Sequence, residues 1–420
     1  MPESDLKSKW VDIPAATSVS GDAAMPDVRV RLPRFMGTEG DLAVMLAATK
    51  IAILGTGSVG MTIAFHLARL GVGRLWAVDP GVLKPESLLT HPVFDPEAVG
   101  QSKSMHAARI CRKLNAKAEI HARCDTVQAL EWTDLMEADL FVLATDNAPA
   151  EIATAQLATH LGVPLIHASL HGETMTARIA FYSNRDSSGP CLACAFTEED
   201  WRIHDEQTRF SCDGSSRALV AGPGDAQPTI STSALCSTAA DLAIHQAMRF
   251  RLHIGAPVVD TEWLYCGVNH KAEVIALRRN MACRLDHTVF RRVTLQAGLP
   301  TQSLGTLLHH AGLSGANDSL YCEVQGHQWV SQMRCDCQQG RPVGRFHKTK
   351  RLAPVPCERC GGLLHISPLD RYSRFSPAML SSALSAPLQT LGVERACWLL
   401  FRTNETAVLL TQGSQHSSQS

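Results

Sequence analysis

A chain of 420 residues is too long for one small core and predicts two domains, or one large α/β domain with an appendage. Its 45% hydrophobic and 19% charged residues suit a globular protein, and a formal net charge of -1 argues against nucleic-acid or membrane-surface binding. No apolar run approaches the ~20 residues that span a bilayer, and MPESDLKSKW lacks the features of a signal peptide, so a cytoplasmic location is expected.

Residues 1–40 are polar and proline-bearing and read as an N-terminal arm. A short helical pattern over 41–50 leads into IAIL, an apolar run suited to a buried parallel strand. The loop Gly55-Thr56-Gly57-Ser58-Val59-Gly60 follows, then the helix MTIAFHLARLGVG, which ends in glycine. RLWAVD is a second strand ending at Asp79, and GQSKSMHAARICRKLN is helical. AEIHARCD is extended, and ADLFVLATD is a buried strand ending at Asp146. A helix over 148–161 and the extended VPLIHASL complete a Rossmann-like, doubly wound, mostly parallel sheet.

Past Pro190 the texture changes. Residues 200–232 are polar and glycine-containing, as expected of a flexible crossover, before a helix over 232–254 and two strands within 262–277. The domain with the sheet is thus expected over 41–290, a Cys-rich domain over 291–412 and a disordered tail over 413–420.

A glycine loop between a buried strand and a helix is the setting in which backbone N–H groups reach phosphate oxygens. Gly55, Gly57 and Gly60 supply the loop, and Asp79 stands where an acid binds ribose hydroxyls. Those features alone fit NAD or ATP. Lys103, at the start of a helix, would hold phosphates, and Asp146 on the same sheet edge would hold Mg²⁺. The plain alternatives are a solvated lysine and an N-capping aspartate.

Fourteen cysteines in a reducing compartment point to metal or catalysis before disulfides. Cys191 and Cys194 form half of a tetrahedral zinc site. Cys335 and Cys337, about 20 residues before Cys357 and Cys360, read as a zinc ribbon, with Cys322 and His327 as competing ligands. Cys212 has no cysteine near it, and Arg209 and Arg217 flank it, favouring the thiolate.

In combination, the glycine loop, VDPGVLKPESLLTH, VGQSK and ATDN resemble the bacterial molybdopterin- and thiamine-biosynthesis adenylyltransferases and the ubiquitin-activating enzymes, over roughly residues 30–290. The resemblance implies ATP and Mg²⁺, with Asp79 on the ribose, Lys103 on the phosphates and Asp146 on the metal. The product would be an acyl-adenylate on the terminal glycine of a ubiquitin-like partner. It also implies that Cys283 and His287, in MACRLDH, complete a structural zinc site with Cys191 and Cys194. Cys212 would take the acyl group as a thioester and pass it to a conjugating enzyme, with Cys236 as its rival. Enzymes of this type occur in bacterial ubiquitin-like conjugation operons, some used in antiphage defence.

One departure stands out. Where the family has an Asn-x-x-Arg pair, this chain has Ser87 and Thr90. A substitute cation would come from Lys84, His91, or Arg31 and Arg34 in the arm, and an arm arginine would imply a homodimer. The alternative readings are a sulfur-carrier adenylyltransferase, an NAD-dependent dehydrogenase and a non-catalytic scaffold.

Overall fold

Lys50–Leu54 (β2) is apolar after its first residue, and those four side chains are buried because the strand sits in the middle of a nine-stranded sheet. The computed structural model describes residues 9–14, 42–91, 96–145, 147–207, 231–255, 259–313, 319–337, 340–348, 355–377, 379 and 384–412. It divides into two units, Met1–Val289 and Phe290–Ser420.

In chain order the first unit runs β1 (Val11–Asp12), α1 (Leu42–Ala47), β2, α2 (Ser58–Leu70), β3 (Arg74–Val78), α3 (Lys103–Leu114), β4 (Glu119–Arg123), α4 (Trp132–Leu135), β5 (Leu140–Leu143), α5 (Ala148–Leu161), β6 (Leu165–His171), β7 (Thr176–Tyr182), α6 (Glu198–Gln207), α7 (Ser233–Arg251), β8 (Thr261–Cys266) and β9 (Lys271–Ala276). The sheet order is β1-β4-β3-β2-β5-β6-β7-β8-β9. Strands β4, β3, β2, β5 and β6 are parallel, while β1 and β7 to β9 add antiparallel edges.

From β2 the chain moves outward to β3 and β4 on one side, then returns to β5 and β6 on the other. The crevice beyond the carboxyl ends of β2 and β5 is therefore the topological switch point, where open α/β sheets take ligands. Helix α2 ends at Gly71, in the left-handed conformation at φ 91°, and its buried face packs with α7 in the main core.

The structure departs from the sequence expectations in two places. Residues Glu198–Gln207 of the expected crossover form α6, because Trp201 buries itself among Cys191, Ala193 and Phe196. The side chain of Asp200 accepts from the Thr197 N–H (2.7 Å) and holds the first turn. The arm contributes β1, paired with β4 through Val11–Ala122 and Asp12–His121. Residues 15–41, Asp146, 208–230 (with Cys212, Arg209 and Arg217) and 413–420 lie outside the described residues, as do Arg31 and Arg34.

The second unit comprises β10 (Arg291–Leu295), α8 (Leu304–His310), β11 (Tyr321–Val324), β12 (His327–Arg334), β13 (Gly340–Lys348), β14 (Val355–Pro356), β15 (Leu363–Leu364), β16 (Arg371–Tyr372), β17 (Trp398–Arg402) and β18 (Ala407–Gln412). A four-stranded sheet β10-β18-β17-β11 shares a core with α8 around Leu307, Phe375, Leu399 and Phe401. A three-stranded sheet β13-β12-β16 and the small β14-β15 pair complete it. Among the described residues no helix is long and apolar enough to cross a membrane.

Candidate nucleotide site and metal centres

A cavity of about 720 Å³ opens at the switch point, walled by the ends of β2, β3, β5 and β6 and by the start of α3. Gly55 turns the chain from β2 toward α2 at φ +92°, and its N–H donates to the Val78 carbonyl (2.8 Å). A Cβ at Gly60 would stand 1.9 Å from the Gly55 carbonyl oxygen, so the helix closes on the loop only with glycine there. A Cβ at Gly57 would meet nothing within 4 Å, since that position faces the cavity. The first turn of α2 has no side-chain cap, which leaves backbone donors for an anion.

Asp79 is buried at the end of β3. One carboxylate oxygen accepts from the Thr56 N–H (2.7 Å) and the other from the Gly81 N–H (2.7 Å), so the acid ties the glycine loop to the turn after β3. The oxygen that takes the Thr56 N–H also accepts from the Thr56 hydroxyl (3.3 Å), whereas the one facing Gly81 keeps a lone pair for a further donor. Lys103 begins α3 and lines the same cavity, and Ser102 caps that helix by accepting from the Met105 N–H. Asn147 caps α5: its side chain accepts from the Ala150 N–H (2.9 Å).

The turn that carries the departure is built from its own polar groups. Ser87 Oγ accepts from the Lys84 N–H (3.2 Å), and Ser58 Oγ donates to Thr90 Oγ1 (2.7 Å). Lys84 is exposed and lies beside Glu86, whereas His91 is buried on the cavity wall. Cys236, in the first turns of α7, also lines the cavity. Its thiol is raised by burial, against hydrogen bonds from Ser231 and Ser58.

Two cysteine clusters have the dimensions of tetrahedral metal centres, in which sulfurs ~2.3 Å from zinc stand about 3.8 Å apart. Cys191 Sγ is 3.9 Å from Cys194 Sγ, 3.8 Å from Cys283 Sγ and 3.2 Å from His287 Nε2. His287 Nδ1 faces the Gly189 carbonyl (3.2 Å), the outer contact that fixes a ligating imidazole. The hydrogen bond from Cys191 holds Cys194 well below the thiol range, and the same pairing pushes Cys191 up.

In the second unit Cys335, Cys337, Cys357 and Cys360 converge, with sulfur separations of 3.4 Å (Cys335–Cys360) and 3.7 Å (Cys337–Cys357). Gly361, at φ +71°, makes the knuckle, and its N–H donates to the Cys357 carbonyl (2.9 Å). The competing ligands are not part of this group: the ligand atoms that converge are those of the four cysteines, while Cys322 is buried in the β11 core, where burial raises its thiol.

The ThiF family model matches residues 29–285, more than half of the chain. The chain belongs to the ThiF family. The adenylyltransferase and sulfurtransferase MOCS3 of Bos taurus is 30% identical over 189 residues, covering 44% of this chain and 39% of that protein. MOCS3-1 of Zea mays is 32% identical over 168 residues, covering 39% and 34%. The SAMP-activating enzyme E1 of Haloferax volcanii is 28% identical over 159 residues, covering 36% and 55%. The chain thus spans from a third to just over half of the length of these curated relatives.

The ThiF match covers the cavity and the three cysteines of the first tetrad, ends two residues before His287, and does not reach the Cys335–Cys360 tetrad. Sequence reasoning placed Ser58 in the glycine loop and named Cys236 only as a rival thioester residue, and it gave Asn147 no cavity role. Cys236 and Ser58 are brought together by the packing of α7 on α2, which no local motif reports.

Proposed function

We propose that this chain uses ATP and Mg²⁺ to adenylate the C-terminal glycine of a ubiquitin-like protein. The observation that carries the reading is the convergence of the uncapped glycine loop, Asp79 and Lys103 on one cavity at the switch point. Gly57 leaves the phosphates room to approach the α2 N-terminus, Asp79 receives the ribose hydroxyls, and Lys103 neutralises phosphate charge. Asp146 is assigned to Mg²⁺. The partner's carboxylate attacks the α-phosphorus, the bond to the β-phosphate oxygen breaks, and pyrophosphate leaves with an acyl-adenylate formed.

Capture as a thioester on Cys212 then releases AMP, and a conjugating enzyme takes the acyl group onward. Both tetrads hold structural Zn²⁺, and the chain works as a homodimer in the cytoplasm. Antiphage defence is the setting proposed for the conjugation. The SAMP-activating relative supports the conjugation branch, while the MOCS3 names support a sulfur-carrier partner as the second reading.

ATP–pyrophosphate exchange with candidate ubiquitin-fold proteins ending in glycine tests the core of this reading. Exchange should require such a partner and fall at least about a hundredfold in Lys103→Ala. Tight NAD binding with no binding of Mg-ATP would refute it. A thiocarboxylate product without transfer to a conjugating enzyme would select the second reading.

A further inference from the structure

Among the described residues, the cavity wall is short of positive charge for a triphosphate. Its described charged side chains are the carboxylates Asp79, Glu86 and Asp125, with Lys103 as the one described lysine and no described arginine. Lys84 does not line the cavity and lies 3.9 Å from Glu86, and Thr90 is engaged with Ser58. His91 does line it. Its N–H donates to the Ser87 carbonyl (2.9 Å), which closes one turn and buries the ring.

We propose that His91 is the second phosphate contact of this chain, acting beside Lys103 through an imidazole N–H. The proposal rests on the nucleotide reading of the cavity and adds a residue to it. The ring is faced by Lys103 and His106 from α3 and by Asp79 from the end of β3, with Glu86 on its own segment lining the same wall. Burial first, then Lys103 and His106, hold it at about 4 against the pull of Asp79, so before ligand arrives it is a neutral donor. A polyphosphate between His91 and Lys103 would reverse the local potential and strengthen that donor. The distribution of labour follows from the turn: Thr90 anchors α2, and the residue after it meets the ligand.

Titration of the full chain with Mg-ATP, Mg-ADP and AMP separates phosphate contact from support of the fold. In His91→Ala, ATP should weaken about tenfold while AMP changes by less than about twofold, as expected for one charge-assisted hydrogen bond to the distal phosphates. His91→Arg, which restores a donor of fixed charge, should keep ATP within about threefold of wild type. An equal loss for all three nucleotides, or no loss of ATP, overturns the assignment while leaving the adenylation reading intact. Failure of the wild-type chain to bind ATP overturns both.

Discussion

Ser58 donates its hydroxyl to Thr90 across 2.7 Å, linking the first residue of α2 to the turn that follows β3. The two are 32 positions apart, yet both line the candidate nucleotide cavity, and the contact joins two parts of its wall. Asp79 makes a parallel link from the same strand end to Thr56. The glycine loop is thus clamped at both ends before any ligand arrives, and pre-organisation of this kind reduces the ordering cost of binding.

Two glycines of that loop should separate fold from binding. Gly60→Ala forces a methyl to 1.9 Å from a backbone oxygen and should cost several kcal/mol in urea denaturation. Gly57→Ala meets no atom within 4 Å, so its melting temperature should stay within about 2 °C of wild type. Its ATP affinity should nonetheless fall at least about tenfold, because the methyl occupies phosphate space. A Gly57→Ala protein that binds ATP normally would show that the phosphates lie elsewhere.

Metal analysis of the purified chain should give two zinc ions. Cys191→Ser and Cys283→Ser should each reduce this to one, and Cys360→Ser should remove the other independently. Cys322→Ser should leave both in place, since that thiol is held in the β11 core. Chelation should lower the melting temperature, because structural zinc binding is coupled to folding. A stoichiometry unaffected by Cys283→Ser would remove that residue from the first centre.

Incubation with ATP and the ubiquitin-like partner should yield an adduct cleaved by thiols and absent in Cys212→Ala. Cys236→Ala should retain it. Burial raises the Cys236 thiol, leaving it less of the thiolate that attacks an acyl-adenylate. An adduct that persists in Cys212→Ala and disappears in Cys236→Ala would place the nucleophile inside the nucleotide cavity.

Acid should destabilise the first unit before its carboxylates titrate. His167 is held at about 4, below the usual 6.5, first by burial and then by Arg178. The unfolded chain therefore binds a proton that the folded one refuses, and stability present above pH 6.5 is lost as pH falls toward 4. Urea midpoints should decline over that window, and His167→Gln should flatten the decline. An equally steep decline in the variant would assign the effect to other groups.

The expected sheet needed only local signals. IAIL, LWAV and LFVL are continuous apolar runs, the pattern of strands buried on both faces, and glycines follow the first two. The metal pairs were legible in part, since Cys-x-x-Cys spacing carries its own geometry. Helix α6 was not legible. Its mean composition is polar, and one buried Trp201 supplies the tertiary contact that pins it.

By itself, then, the sequence determined the αβ alternation, the glycine loop and the positions of Asp79 and Lys103, because each follows from neighbours within a few residues. Tertiary structure alone decided which polar groups were already engaged. Thr90 is held by Ser58, Asn147 caps α5, Cys322 is buried in the β11 core, and the packing sets His91 on the cavity wall. Hydrogen-bond satisfaction depends on partners far apart in the chain, and spacing in the sequence carries no record of them.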